Sequence, residues 1–259
     1  METYIIHLDI LKEIKMIVVT MTSWTKRINN VKPVLKSILN STVIPNRIYL
    51  NLSVEEFPNK KNDLPQDLVE YINSNDRIIL NWVEGENTKT MKKIFPILKY
   101  LEDDDIIINA DDDMMFPKNL IQCRIGDFIS YGMRYCISSK QKFTKNFFQK
   151  MYTLNPTSLF QKKMFNNWEK IVDDHVIKTY NDDRTYIYIL WLNGYLNKPC
   201  SVYEINDMRK KYNYNPVHNA GSDYHMYPVG NSYDRIMIPY VEKLTGKKLE
   251  DSFGYFKKK

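Results

Sequence analysis

At 259 residues, with 43% hydrophobic and 13% aromatic side chains, the chain can bury a full core as one large domain or two closely joined halves. Its formal charge of +6 comes from scattered lysines without a helix-turn-helix, zinc-finger or ribonucleoprotein signature, which argues against nucleic acid as a partner. The absence of a run of about 18 apolar residues argues against a membrane span, and the three widely spaced cysteines, Cys123, Cys136 and Cys200, read as reduced thiols of a cytoplasmic protein.

Residues 1–15 read as an amphipathic appendage, in which Glu2, His7, Asp9 and Glu13 break the design of a secretory signal. Met16 to Met21 is an apolar run of strand length, and Val31 to Leu39 has apolar residues at helical spacing. A second strand is expected over Arg47 to Leu52 and a second helix over Leu64 to Ile72, opening near Pro65. A third strand, Arg77 to Trp82, precedes a third helix, Thr90 to Leu101, and a fourth strand begins at Ile106. Strands alternating with helices of this length imply a parallel sheet with right-handed crossovers and all strand C-termini on one rim. The loops Thr22 to Arg27, Ser53 to Phe57, Val83 to Lys89 and Asp111 to Asp113 then converge.

The fourth strand ends in the most informative segment, Ile106-Ile107-Ile108-Asn109-Ala110-Asp111-Asp112-Asp113. A buried run that delivers three carboxylates to the mouth of an open sheet places hard oxygens where such folds bind ligands. Hard oxygens suit Mg²⁺ or Mn²⁺, commonly held by one or two carboxylates plus substrate phosphates. The competing reading is a solvated acidic cap. The earlier cluster Glu102 to Asp105 precedes the strand and reads as a solvated turn on the opposite rim.

Met21-Thr22-Ser23-Trp24-Thr25-Lys26-Arg27, Asn87-Thr88-Lys89 and Ile108 to Pro117 together resemble the nucleotide-sugar-dependent glycosyltransferases of the GT-A fold, of the bacterial surface-polysaccharide type. The likeness covers residues 16 to about 120 well and the rest loosely. It implies an α/β, Rossmann-like, mostly parallel sheet flanked by helices. Residues 16–117 would form the nucleotide-sugar-binding half and 118–259 the acceptor-binding half of one catalytic domain. It also implies that Asp113 ligates Mn²⁺ or Mg²⁺, that Asp111 contacts ribose or the metal, and that Asp112 faces the donor sugar. In similar enzymes the loop after the first strand contacts the nucleotide, and Thr22, Trp24 and Arg27 supply a hydroxyl, a flat ring and a fork of donors. Packing is an equal reading for Trp24. Asn51 and Ser53 are candidates for the base or ribose, or else for turn capping. Lys89, at a helix start, is a candidate for the diphosphate.

In the second half, Asn181-Asp182-Asp183-Arg184 precedes an apolar helical stretch carrying Trp191. Paired acids at a helix start resemble the element with which inverting GT-A enzymes deprotonate the acceptor, so Asp183 and then Asp182 are the candidate bases. Helix capping is the competing role. Asp173-Asp174-His175 is a weaker rival. The turn-rich segment Tyr212 to His225 reads as a long loop of the kind that forms lids. The resemblance implies a late histidine on the metal or a late loop on the diphosphate, which makes His218 and His225 candidates, with an ordinary loop histidine as the competing reading.

The expectation is therefore a metal-dependent, inverting glycosyltransferase that moves a sugar from a nucleotide diphosphate, by default UDP, to a hydroxyl of a saccharide or lipid-linked saccharide. Its place would be the cytoplasm; the basic, aromatic tail Phe253 to Lys259 reads as a solvated end, with a peripheral contact to the inner membrane as the competing role. Two other classes compete. A nucleotidylyltransferase should carry a glycine-rich loop after the first strand, and residues 22–27 contain no glycine. A non-catalytic sugar- or nucleic-acid-binding module would not need Asp111, Asp113 and Asp183 together.

Overall fold

A computed structural model describes residues 16–130, 136–139, 158–172, 182–195, 201–204 and 232–248. The strands are β1 (Ile17–Thr22), β2 (Arg47–Ser53), β3 (Ile78–Val83), β4 (Ile106–Asn109), β5 (Cys136–Ser139), β6 (Leu159–Gln161) and β7 (Ser201–Glu204). They form one sheet in the order β3-β2-β1-β4-β6-β5-β7. The first four strands are parallel, β6 runs antiparallel to both β4 and β5, and β7 is parallel to β5.

Strand order runs outward from β1 to β3 and then reverses to β4, so the C-terminal ends of β1 and β4 flank a switch point. Right-handed crossovers put α1 (Val31–Leu39) and α2 (Gln66–Asn73) on one face and send the β3–β4 connection across the other. The face of the two helices is apolar: Val19, Met21, Ile48, Leu50, Leu52 and Ile108 are fully buried. Each such side chain contributes about 1.5–3 kcal/mol by leaving water. The opposite face alternates with it and carries Thr20, Thr22, Asn51, Ser53, Asn81 and Asn109 in register.

That polar face explains a departure from the expected third helix. Residues 90–101 form two 3₁₀ segments, Lys89–Lys93 and Phe95–Tyr100, instead of one α-helix. An α-helix would give the Lys93 carbonyl to the N–H of Ile97. Here that carbonyl accepts from the Thr20 hydroxyl and from Asn51 Nδ2 at 3.2 Å, and Ile97 N–H turns to Ile94 O at 3.1 Å. Pro96, which brings no N–H of its own, reinforces the break.

On the opposite rim Asp103 and Asp104 are exposed and pair with Lys162 at 2.6 Å and Lys163 at 2.8 Å. Asp105 departs from the expected solvated turn: it is buried and accepts the Glu102 N–H at 2.8 Å, closing the turn before β4. Helix α3 (Leu120–Ser130) follows the acidic loop. Helix α4 (Asp182–Leu192) is buried along residues 185–191, as suits a helix apolar on all sides. It packs on α5 (Ser232–Thr245) and, through Tyr186, meets Phe95 and Phe165 edge-on at 5.6 Å. Among the described residues no helix is long and apolar enough to cross a membrane.

Candidate functional site

The loops after β1 and β4 meet at the switch point. Asp112 is 5% exposed and both its oxygens are engaged, Oδ2 by the Ser23 hydroxyl at 2.7 Å and Oδ1 by Arg27 Nη1 at 2.8 Å. Arg27 Nη1 also reaches Asp113 Oδ2 at 3.0 Å. Asp112 thus locks the two loops together and does not turn outward toward a sugar. Asp111 points elsewhere, with Oδ1 2.6 Å from Lys93 Nζ. The same ammonium lies 3.2 Å from Asp182 Oδ2, which is within ion-pair distance but outside hydrogen-bond geometry. Lys93 therefore brings the first residue of α4 to the acidic loop.

Among the described residues four carboxylates, Asp111, Asp112, Asp113 and Asp182, face two cations, Arg27 and Lys93. Burial pushes the Asp112 carboxyl above its ordinary value, against the pull of Arg27 and Ser23. Burial, then the charges of Asp111 and Asp112, push Asp113 the same way. Burial works against the Arg27 charge, but Asp112 and Asp113 outweigh it and hold its pKa above the ordinary value.

Among the described residues no three His, Cys, Asp or Glu side chains gather closely enough to hold a metal by themselves. The donor set still fits a Mg²⁺ or Mn²⁺ ion that would take its remaining ligands from a diphosphate: Asp111 and Asp113 offer hard oxygens, and carboxylates outnumber cations there among the described residues. His218, His225 and the Asp173-Asp174-His175 trio lie outside the described residues, as does the tail. Asp183 sits in the first turn of α4, and its side chain is outside them as well.

The other candidates divide. Trp24 is half-buried, with Lys26 Nζ 5.2 Å from its ring centroid and an indole N–H that has no partner among the described residues. The Thr22 hydroxyl donates to Asn51 O at 2.7 Å. Asn51 is fully buried and engaged at both ends of its amide: Nδ2 donates to Thr20, Met21 O and Lys93 O at 3.0–3.2 Å, and Oδ1 accepts from Asn81 at 2.8 Å. It anchors the backbone of Lys93, a task that neither a rim contact nor a turn cap describes. The Ser53 hydroxyl and the Asn109 amide, both fully buried, have no hydrogen-bond partner among the described residues.

Lys89 does not start an α-helix. It opens a five-residue 3₁₀ segment at φ 51°, its N–H donates to Asn87 Oδ1 at 3.0 Å, and its Nζ is 3.9 Å from Glu56. The backbone N–H is thus spent on a neighbour, and the expected anion-binding helix start is absent there. Beside it Lys92 is fully buried, bonded to Asn87 and to Glu56 at 3.2 Å, and burial lowers its pKa. This clasp ties the loop after β3 to the loop after β2. A cavity of about 660 Å³ opens between β3, residues 95–100 and residues 162–172, lined by Trp82, Phe95, Tyr100 and Trp168 among others. Among the described residues of its wall are Glu84 and Glu169 but not Asp111 to Asp113, Asp182, Arg27 or Lys93.

No sequence-family profile matches the chain, and no curated protein does either. Solved structures do. The S. aureus TarS 1-349 structure in complex with UDP-GlcNAc is 12% identical, covers 88% of this chain and 66% of its own, and superposes with a TM-score of 0.52. The UDP complex of the same protein is 13% identical, covers 69% and 55%, and has a TM-score of 0.50. The chain has the GT-A fold. It spans about half to two thirds of the length of those TarS chains. A Francisella tularensis 2-C-methyl-D-erythritol 4-phosphate cytidylyltransferase also matches, at 14% identity, 73% and 90% coverage, and a TM-score of 0.49.

Sequence reasoning missed Ser23, Lys93 and the inward role of Asn51. A signal for the last was present, because Thr20 and Thr22, and then Asn51 and Ser53, recur at a spacing of two within largely apolar strands. Lys93 carried none of its own: it is the second lysine of a pair whose first is the buried one.

Proposed function

We propose that the chain is a nucleotide-sugar glycosyltransferase that moves a sugar from a nucleotide diphosphate, UDP in the first instance, to a saccharide hydroxyl in surface-polysaccharide or lipooligosaccharide synthesis. The observation that carries this reading is the meeting of Arg27, Asp111, Asp113, Lys93 and Asp182 at the switch point of a GT-A sheet. The folds it matches there include structures holding UDP and UDP-GlcNAc.

In this reading Asp111 and Asp113 hold a Mn²⁺ or Mg²⁺ ion, which supplies Lewis-acid stabilisation of the leaving diphosphate. Arg27 and Lys93 are fixed cations at the same edge, and their charge favours the diphosphate over neutral ligands. Asp112 holds the two loops in register, so the neighbouring acids are positioned before any ligand arrives. Asp183, or failing it Asp182, takes the proton of the acceptor hydroxyl as the oxygen attacks opposite the leaving group, with inversion. Acceptor capture at a peripheral membrane face belongs to the same proposal.

Calorimetry with UDP tests it. Wild-type protein binds UDP in Mn²⁺ and loses most of that affinity in chelator, and Asp113→Ala loses it in both. Equal affinity in chelator and in Mn²⁺, for wild type and variant alike, removes the metal from the proposal. No UDP binding at all removes the donor class.

A further inference from the structure

Lys93 stands between the two halves of the site. Its Nζ lies 2.6 Å from Asp111 in the β4 loop and 3.2 Å from Asp182 at the start of α4. Its backbone is fixed independently, since its carbonyl is held by Thr20 and Asn51 on the polar face of the sheet. The side chain is 12% exposed, so its ion pairs are screened less than those at the open surface. An ammonium shared by two carboxylates is divided between them: weakening one contact strengthens the other.

We infer that Lys93 is a positioning residue that couples the donor end of the site to α4, with Asp182 setting how tightly the ammonium holds Asp111. The ligand in this inference is taken from the glycosyltransferase reading. A divalent ion competes with Lys93 for Asp111, whose Oδ1 the ammonium holds, and Asp182 is a carboxylate placed to receive the ammonium. Replacing Asp182 by an uncharged residue leaves Lys93 committed to Asp111. Mn²⁺-dependent UDP binding then weakens because of a residue on the acceptor side. A Lys93 that only braced the fold would make Asp182→Asn lower the melting temperature without touching UDP affinity.

The test is a double-mutant cycle on UDP affinity in Mn²⁺, measured by calorimetry on the full chain, with a melting curve for each variant. Coupling between neighbouring charges in one network leads to an expected three- to tenfold loss, roughly, for Asp182→Asn. In that variant the Mn²⁺ concentration giving half-maximal UDP binding rises by a similar factor. On a Lys93→Met background the same substitution changes affinity by less than about twofold. On a Lys93→Arg background, which keeps the cation, the Asp182 effect persists, and this arm decides the matter if Lys93→Met proves unable to fold. The inference is overturned if Asp182→Asn binds UDP and Mn²⁺ as wild type does. It is equally overturned if the Asp182 effect survives in full without a cation at position 93, or vanishes with arginine there. Wild-type protein that binds no UDP sinks the glycosyltransferase reading itself, a result distinct from intact UDP binding that ignores Asp182.

Discussion

Asn51→Ala separates the two roles that its position allows. The side chain is fully buried, donates to Thr20 Oγ1, Met21 O and Lys93 O, and accepts from Asn81 Nδ2. Truncation takes the Asn51 donor from Lys93 O and leaves Asn81 Nδ2 without this acceptor. Each buried polar group stranded in this way costs about 1–3 kcal/mol, but Asn81 is half-buried and recovers part of that from water. The expected loss is therefore about 2–4 kcal/mol of stability. For a chain of this size that corresponds to roughly 4–16 °C in melting temperature. UDP affinity falls as well, because Lys93 no longer has a fixed backbone. Urea unfolding followed by circular dichroism gives the stability, and calorimetry on the same preparation gives the affinity. A variant as stable as wild type, to within about 0.5 kcal/mol, would refute the anchoring argument. If UDP affinity alone fell, Asn51 would return to the rim role expected from sequence.

Three further outcomes are expected. Asp113→Asn stabilises the metal-free protein at neutral pH: its folded carboxyl is raised by burial and by Asp111 and Asp112, so folding favours the protonated form. That contribution is present below the ordinary Asp value and is lost as pH rises through the raised folded value. The melting-temperature gain in chelator must therefore grow from pH 4 to pH 7, and a gain that shrinks refutes the sign. Lys89→Gly relieves a φ of 51° and melts no lower than wild type, while donor affinity drops if the ammonium serves the diphosphate; unchanged affinity assigns Lys89 to the Glu56 clasp alone. Asp183→Asn keeps the fold and most UDP affinity but abolishes transfer, since an amide can cap α4 but cannot accept a proton at neutral pH. Near-wild-type turnover, with Asp182→Asn inactive, moves the base to Asp182.

The first half of the fold was legible because its signals are local. β1, β2 and β3 are apolar runs of strand length, and α1 and α2 show helical spacing, so their order and the convergence of their loops followed from sequence. The acids at the end of β4 were placed correctly for the same reason. What was not legible depends on partners far away in the chain. Apolar spacing over Thr90 to Leu101 reads as one α-helix; Pro96 is the local signal against it, and the distant one is the Lys93 carbonyl, claimed by Thr20 and Asn51. Asp182 was singled out as one of two acids before an apolar helix, but its contact with the β4 loop passes through a lysine with no motif of its own. Strands β5, β6 and β7 are 3–4 residues long, too short for alternation to distinguish them from loop.

The two faces of the sheet divide structural from functional work. On the helical face Val19, Met21, Leu50 and Ile108 are interchangeable in kind, since any apolar side chains of similar volume would fill that layer. The other face cannot be exchanged in that way. Asn81, Asn51 and Thr20 form a bonded row that ends on the Lys93 carbonyl, and each needs the particular donor or acceptor next to it. An apolar layer there would withdraw the donors that hold that carbonyl, leaving only Pro96 to shape the connection. The Lys93 side chain would then lose the backbone position from which it reaches both Asp111 and Asp182. A buried polar row is retained in this sheet, on this argument, because the geometry of its acidic rim depends on it.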